Sequence, residues 1–407
     1  MANSLSDLNP AFWAKEAQRS LFVENKAMAI ANTTLRNIVA GEGSSVHRTI
    51  ISYPASSTYV PGTDITDTPV TGSKETLSIG TWIASKVTVD DTESRQSIVA
   101  LGSNISNKMM HDHNNRLEQA VLAEVTNAMH TLDDGNVGGT TGNNAVVTTT
   151  TVPQFFIAAD TKLDAIDAPK AGRTAVVGGH FLGMLKLQQA GRQTVFGDGV
   201  NTRGVVTNLF GWDVLYSNNL PYYCVLTIDT NPSDGDTFTI AGVTFTFKTT
   251  QGSTAGVINI CSTAATTLDN VVTTLNALAT TVAEATDAGY NAISSENIFL
   301  LRDKRRIVAA ELTSTTLSIS GYGDIVVSET FTAATNVFSQ QRQDALFCVK
   351  GCVDLIVQIP PKIEVTRDPD QFADIVKSLL GYGKKTYGDG AREMVRVKLD
   401  ASTSDWS

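Results

Sequence analysis

The sequence predicts an α+β fold in which an extended β-hairpin and one long helix join mixed α/β segments, with a β-rich domain inserted late in the chain. Three observations predict it. Apolar residues recur mostly at three- and four-residue steps between Ile98 and Leu132. Apolar and polar residues alternate on either side of a Pro/Gly-rich middle between Val46 and Val89. Between residues 223 and 338 threonine becomes dense and short alternating runs dominate.

Composition narrows the function classes. A chain of 407 residues can hold two or three domains. Its charged fraction is 18%, low against about 25% for an average soluble domain, which suits a surface largely covered by neighbours. The net charge is −10, and no basic cluster exceeds Lys304-Arg305-Arg306 with Arg302 just before it. A grip on nucleic acid draws its affinity from neutralised phosphates, so DNA binding is not expected. Cys224, Cys261, Cys348 and Cys352 form no dense disulfide framework. They are expected to be mostly free and buried, in a reducing cytosol. No stretch reaches the roughly 18 apolar residues that span a membrane, and the N-terminus lacks the pattern of a signal peptide.

Residues 1–45 read as an N-terminal arm. The run from Ala11 to Val39 is helix-prone, and Trp13, Leu21, Phe22 and Val23 would be costly in water. Residues 46–93 read as an extended hairpin loop. Its first strand lies near Val46–Tyr53, its return strand runs from Thr76 to Val89, and Pro54, Pro61, Gly62, Pro69 and Gly72 interrupt the middle. A two-stranded ribbon of this length has no core of its own, so it is expected to lean on something else.

Residues 94–170 carry the long helix, expected over 94–132 and ended by Asp133-Asp134-Gly135. At 1.5 Å per residue it would be roughly 55–60 Å long. A second helix is expected from Gln154 to Ile166. Residues 171–222 alternate: a buried strand Arg173–Gly178, a helix His180–Ala190, and a strand after Gly204 that ends at Ser217-Asn218-Asn219-Leu220-Pro221.

Residues 223–338 hold 11 acidic and 5 basic residues, and read as an inserted domain with its own small core. Phe238 to Phe247 alternate around Ala241-Gly242, a hairpin signal. A helix is expected over Thr267–Ala285, with strands near Val257–Cys261, Ala288–Ile293, Ile298–Leu301, Thr316–Ser320 and Ile325–Val327. Residues 339–407 return to the earlier style. Val353–Ile359 reads as a strand ended by Pro360-Pro361, Asp374–Leu380 as helix or turn, and Met394–Leu399 as a final strand before a loose tail.

No catalytic, cofactor-binding or metal-binding residue is expected. The phosphate-loop, nucleophile-elbow and zinc-helix patterns are missing, and Gly197-Asp198-Gly199 with Gly204 lacks the dinucleotide spacing. His111 and His113 would lie about 200° apart on a helix, so they cannot share a metal, and surface or interface positions are expected for them. Cys348 and Cys352 have no second pair beside them. Asp90-Asp91 with Glu93, and Asp368 with Asp370, are expected to be solvated or salt-bridged. What remains is architectural: an arm, a ribbon and an overlong helix that lack partners within one copy.

In this order the segments resemble the HK97-type major capsid proteins of tailed bacteriophages. The resemblance rests on Arg173-Thr-Ala-Val-Val-Gly-Gly-His180, on Gly211-Trp-Asp-Val-Leu-Tyr-Ser-Asn-Asn-Leu-Pro221, and on the return from Arg342-x-Asp344-Ala345-Leu346 through Tyr382-Gly383 and Tyr387-Gly388 to Val395–Leu399. It covers about 290 residues. It implies an HK97-like capsid fold: N-terminal arm 1–45, extended loop 46–93, peripheral domain with spine helix 94–170, axial domain 171–222, and a return through both domains over 339–407. The insertion 223–338 departs from the minimal pattern and is expected to decorate the surface or brace neighbours.

The resemblance further implies self-assembly into hexamers and pentamers of an icosahedral shell around double-stranded DNA, without sequence-specific DNA contacts. It implies a separate scaffolding protein, a portal, room for a decoration protein, assembly in the host cytoplasm and residence in the virion. Some relatives join subunits through a Lys–Asn isopeptide bond. Lys74, Glu75 and Lys86 lie in or near the ribbon, but nothing fixes a matching Asn or Glu, and crosslinking is not expected. Two other readings stay open: an encapsulin-like compartment, and a glycan-binding or enzymatic β-rich protein.

Overall fold

A computed structural model of the chain describes residues 26–35, 43–52, 54, 56, 58–64, 67, 69–96, 101–190, 208–250, 252, 254–280, 293–323, 325–338 and 342–400. Two compact units form. One takes Met28–Val121 and Gly351–Gly390, and the other takes Leu122–Lys350 and the chain from Ala391 on.

The described chain opens with a 3-10 turn, Ala27–Ala29, and a two-residue strand, β1 (Ala31–Asn32). The expected arm otherwise lies mostly outside the described residues. Where it is described, the helix expected through Val39 is replaced by β1, because Ala31 and Asn32 pair in parallel with Val353 and Asp354. Strands β2 (Ser45–Ile51) and β3 (Gly72–Ser78) then form an antiparallel ribbon in register from Ser45↔Ser78 to Ile51↔Gly72. The return strand expected from Thr76 to Val89 is two strands. Its start belongs to β3, and after Gly80 the chain leaves the ribbon as β4 (Thr81–Asp90) to join another sheet. Alternation with period two continues across that break, so it cannot report a change of partner.

Two helices follow, α1 (Asp91–Gln96) and α2 (Leu101–Leu122). The helix expected through Leu132 stops ten residues early. A 3-10 turn, Ala123–Asn127, leads into β5 (His130–Leu132), whose backbone is claimed by parallel pairing with β21 (Met394–Asp400). Val125 in the 3-10 turn and Leu132 in β5 are both fully buried, which is why their spacing mimics a continuing α-helix. With 22 residues, α2 is about 33 Å long. Near its C-terminal end Lys384 Nζ donates to the Ala120 carbonyl at 2.6 Å, a cation where the helix dipole favours one.

The second unit is built on a central sheet. Its elements run β5, β6 (Ala145–Val146), α3 (Thr151–Asp164), β7 (Arg173–Val177), α4 (Gly179–Ala190), β8 (Asn208–Leu209), β9 (Trp212–Tyr216) and β10 (Pro221–Thr227). The inserted segment continues with β11 (Thr237–Ile240), β12 (Val243–Lys248), β13 (Val257–Asn259), α5 (Ala264–Thr280), α6 (Ser295–Ile298), β14 (Val308–Thr313), β15 (Thr316–Tyr322), β16 (Val327–Glu329) and β17 (Val337–Phe338), before β18 (Arg342–Val349) returns. The central sheet has the order β14-β15-β10-β18-β7-β9-β8, with β21 also on β18. Helices α3 and α4 cover one face, where Phe155, Phe156 and Phe181 meet Phe347 and Trp212. Phe347 receives Phe156 and Trp212 edge-on at 5.1 and 5.2 Å, the geometry that aromatic quadrupoles prefer.

The insertion has its own core, as its alternating runs predict. Phe238, Phe245 and Phe247 from a small sheet of order β13-β12-β11-β16 pack with Leu268, Val271 and Leu275 of α5. Ala241 and Gly242 turn that hairpin with φ of 52° and 84°, as a two-residue I′ turn requires. The segment is nevertheless continuous with the central sheet: β10 pairs with β15 along seven residues and with β18 at Tyr222↔Gln343 and Tyr223↔Arg342. The strand expected at Ile298–Leu301 is instead the end of α6 and a π-helical turn, Phe299–Lys304, with only Leu301 of that turn buried. The strand expected at Ala288–Ile293 lies almost wholly outside the described residues.

The chain re-enters the first unit as β19 (Val353–Arg367) and β20 (Ala373–Lys385), then α7 (Gly388–Arg392). Together they give a four-stranded sheet of order β1-β19-β20-β4. Pro360-Pro361 do not end β19. The ladder slips from Ile359 to Lys362, so the two residues without N–H groups sit in an irregularity and pairing resumes beyond them. The helix or turn expected over Asp374–Leu380 is the first half of β20, fixed by long strands on both sides.

Candidate assembly surface

The ribbon is anchored at its base. Val46, Leu77 and Ile79 are buried against Ile356 and Tyr387. Arg48 pairs with Asp389, Lys385 Nζ donates to the Thr76 carbonyl at 2.9 Å, and both cations lie over the Tyr387 ring, 5.4 and 5.6 Å from its centroid. Glu75 accepts from the Gly388 N–H. Burial keeps the Tyr387 phenol above its ordinary range, with Asp354 and Glu75 adding to the effect.

Beyond this base, no hydrogen bond or ion pair among the described residues ties the ribbon tip to the rest of the subunit. Every described residue from Pro54 to Lys74 is exposed, Tyr59, Val60 and Val70 among them, and Tyr59 is 60% exposed. Asp64 and Asp67 are the charged residues described between Pro54 and Thr71.

The sheet of the first unit has two unlike faces. On one, Trp82, Ala84 and Lys86 of β4 stand opposite Gly381, Leu379 and Lys377 of β20, which stand beside Ile359, Lys362 and Glu364 of β19. A groove of about 640 Å³ runs over Ala84, Lys86, Leu379 and these β19 residues. Trp82 is 52% exposed. Lys362 pairs with Glu364, whose carboxyl is held below the usual range mainly by that lysine. Lys86 and Lys377 face each other directly, a like-charge juxtaposition that an isolated sheet gains nothing from. The face thus combines apolar centre and excess positive charge.

The opposite face is covered by α2. Met109, His113, Leu117 and Val121 recur at four-residue steps and are all buried. His113 Nε2 lies 2.8 Å from Ser378 Oγ. The surface or interface position expected for His113 is therefore wrong: it fills the gap in the apolar ridge between Met109 and Leu117. That gap was the available signal. His111 is half-buried, and Asp112 pairs with Arg116 at 2.8 Å.

Other residues singled out by sequence fall as follows. Asp91 pairs with Arg367, which also reaches Asp374, while Asp368 turns a loop by accepting from the Asp370 N–H. Cys224, Cys348 and Cys352 are buried and Cys261 partly so, all free, and burial pushes the Cys224 thiol up to about 12. Among the described residues no three metal-ligating side chains converge, and no helix is long and apolar enough to cross a membrane.

The fold as a whole, a helix laid on a sheet, a ribbon anchored at its base and a second mixed unit, is similar to that of solved phage structures. A solved structure from Mycobacterium phage Che8 matches over 95% of this chain and 96% of its own, with a TM-score of 0.56 and 14% identity. The capsid structure of cyanophage P-SCSP1u matches over 99% and 96%, with a TM-score of 0.52 and 14% identity. The asymmetric unit of the bacteriophage PhiM1 mature capsid matches over 98% and 94%, with a TM-score of 0.51 and 10% identity. At such identities the likeness is one of fold. No family model and no curated protein matches the sequence.

Proposed function

We propose that this chain is a major capsid protein of a tailed phage, assembling into hexamers and pentamers of a closed shell that encloses double-stranded DNA. The observation that carries the reading is the ribbon: twenty-odd residues of strand and tip, with apolar side chains in water, on a subunit fold shared with capsids. Apolar surface of this extent is stabilised by burial, at about 25 cal/mol per Å². In this reading the ribbon tip lies on the Trp82 face of an adjoining copy. Asp64 and Asp67 meet Lys86, Lys362 and Lys377, and Tyr59, Val60 and Val70 meet Trp82, Ala84 and Leu379.

The remaining roles follow the same proposal. Residues 94–170 with the return strands serve as the peripheral domain, 171–222 with β18 and β21 as the axial domain, and 223–338 as a brace or outer ornament. A separate scaffolding protein and a portal direct assembly, a decoration protein is accommodated outside, and DNA is contained without base contacts.

Electron microscopy with light scattering on the purified protein tests this. Closed particles that protect DNA when taken from infected cells are expected. A species that stays below about a dozen subunits at every concentration overturns it.

A further inference from the structure

We propose that His113 is an acid-sensitive latch that holds α2 to its sheet only while the imidazole is neutral. The residue occupies the middle of the buried ridge Met109–His113–Leu117–Val121 and has no exposed surface. Its Nε2 meets Ser378 Oγ, and Nδ1 has no hydrogen-bond partner among the described residues. A protonated ring would need an acceptor or a carboxylate at Nδ1, and none is found there among the described residues.

The surroundings decide the matter. On the helix-facing side of the sheet, the row beneath His113 is Ser85, Ser378 and Ile363, flanked by Val87, Val376 and Leu380, all neutral. The charged groups on that side stand at its ends: Asp374 with Arg367, and Lys384 on the Ala120 carbonyl. From the helix itself, Asp112 attracts a proton to His113, but its carboxylate is taken by Arg116, whose charge opposes one. Glu118 is buried too, yet stands about 140° around the helix.

Burial holds the imidazole below its ordinary range. The sign follows: the opened helix binds a proton that the docked helix excludes. Docking is therefore fully favourable above pH 7 and weakens as pH falls below the free value of about 6.5. Each pH unit below it costs up to about tenfold in the docking equilibrium until the docked ring also titrates.

Hydrogen exchange of α2 amides in the full-length protein, corrected for intrinsic rates, tests the latch between pH 7.5 and 5.5. Opening of α2 should rise about tenfold in the wild type. His113→Gln, which keeps a donor toward Ser378 without a titrating ring, should flatten that rise, while His111→Gln should not. An equal rise in His113→Gln, or none in the wild type, overturns the proposal. Should His113→Gln fail to fold, deuterium exchange at the imidazole carbon of wild-type His113 gives its titration directly. A midpoint well below 6.5 supports the latch, and a midpoint at 6.5 or above overturns it.

Discussion

Trp82 stands directly across the ladder from Gly381, and a Cβ at Gly381 would clash with the indole ring. The indole thus packs closely over the backbone of β20 at Gly381, while about half of the residue stays open to solvent. A tryptophan supported from below and half open above adds little to the fold of one copy. It offers a broad apolar surface to another.

Trp82→Ala should leave the subunit folded and its assembly broken. Circular dichroism and melting temperature should change little, because about half of the ring is already exposed. Particle yield by sedimentation should fall at least tenfold. Normal particles would remove Trp82 from the contact.

Charge reversal tests the partner of that face. Asp64→Lys with Asp67→Lys, or Lys86→Glu with Lys377→Glu, should each raise the concentration needed for assembly by roughly tenfold or more, since like charges at a contact oppose it. Combining the two pairs in one chain should restore much of the yield. Absence of restoration would show that the ribbon tip and this face do not meet.

Arg173 tests the second unit. Its buried guanidinium binds Asp160 and Asp164 of α3, donates to the Ala168 and Pro169 carbonyls, and lies 5.8 Å from the Trp212 ring centroid. Arg173→Met should cost roughly 2–3 kcal/mol, less than a fully buried pair because both carboxylates can rehydrate. Arg173, and then Lys170, hold the Asp164 carboxyl below its ordinary range. That contribution is present above about pH 4 and is lost as pH falls through the lowered value. Melting temperatures of wild type and variant should therefore converge between pH 5 and 3; a constant gap would contradict this account.

Removing residues 224–337 and joining the ends should leave a cooperative fold. The Phe155–Phe181–Phe347–Trp212 core lies outside that stretch. Tyr222, buried against the insertion core, would become exposed and lower stability. Loss of all helical circular dichroism would show that β10 and its neighbours are needed to complete the sheet.

What the sequence made legible was local. α3, α4, β7, β21 and the Ala241-Gly242 hairpin were readable because propensity, period and turn chemistry agree there. Long-range pairing was not. Nothing within Thr76–Val89 shows that Ser78 pairs with Ser45 while Thr81 pairs with Tyr382. β20 was misread because Gly381-Tyr382-Gly383 weakens a strand taken alone, and only β19 and β4 on its two sides fix it. His113 was misplaced because a polar residue on a helix is usually solvated, although its four-residue spacing to Met109 and Leu117 carried the correct answer. The groove escaped notice entirely, since Ala84, Leu379 and Ile359 come from three strands that only the sheet brings side by side.

The most direct test is a near-atomic electron-microscopy reconstruction of assembled particles. Residues 54–74 of one copy should lie across Trp82, Lys86 and Leu379 of another, with Tyr59 and Trp82 both buried. A reconstruction in which the Trp82 face stays open to solvent and the ribbon folds back on its own subunit would contradict it.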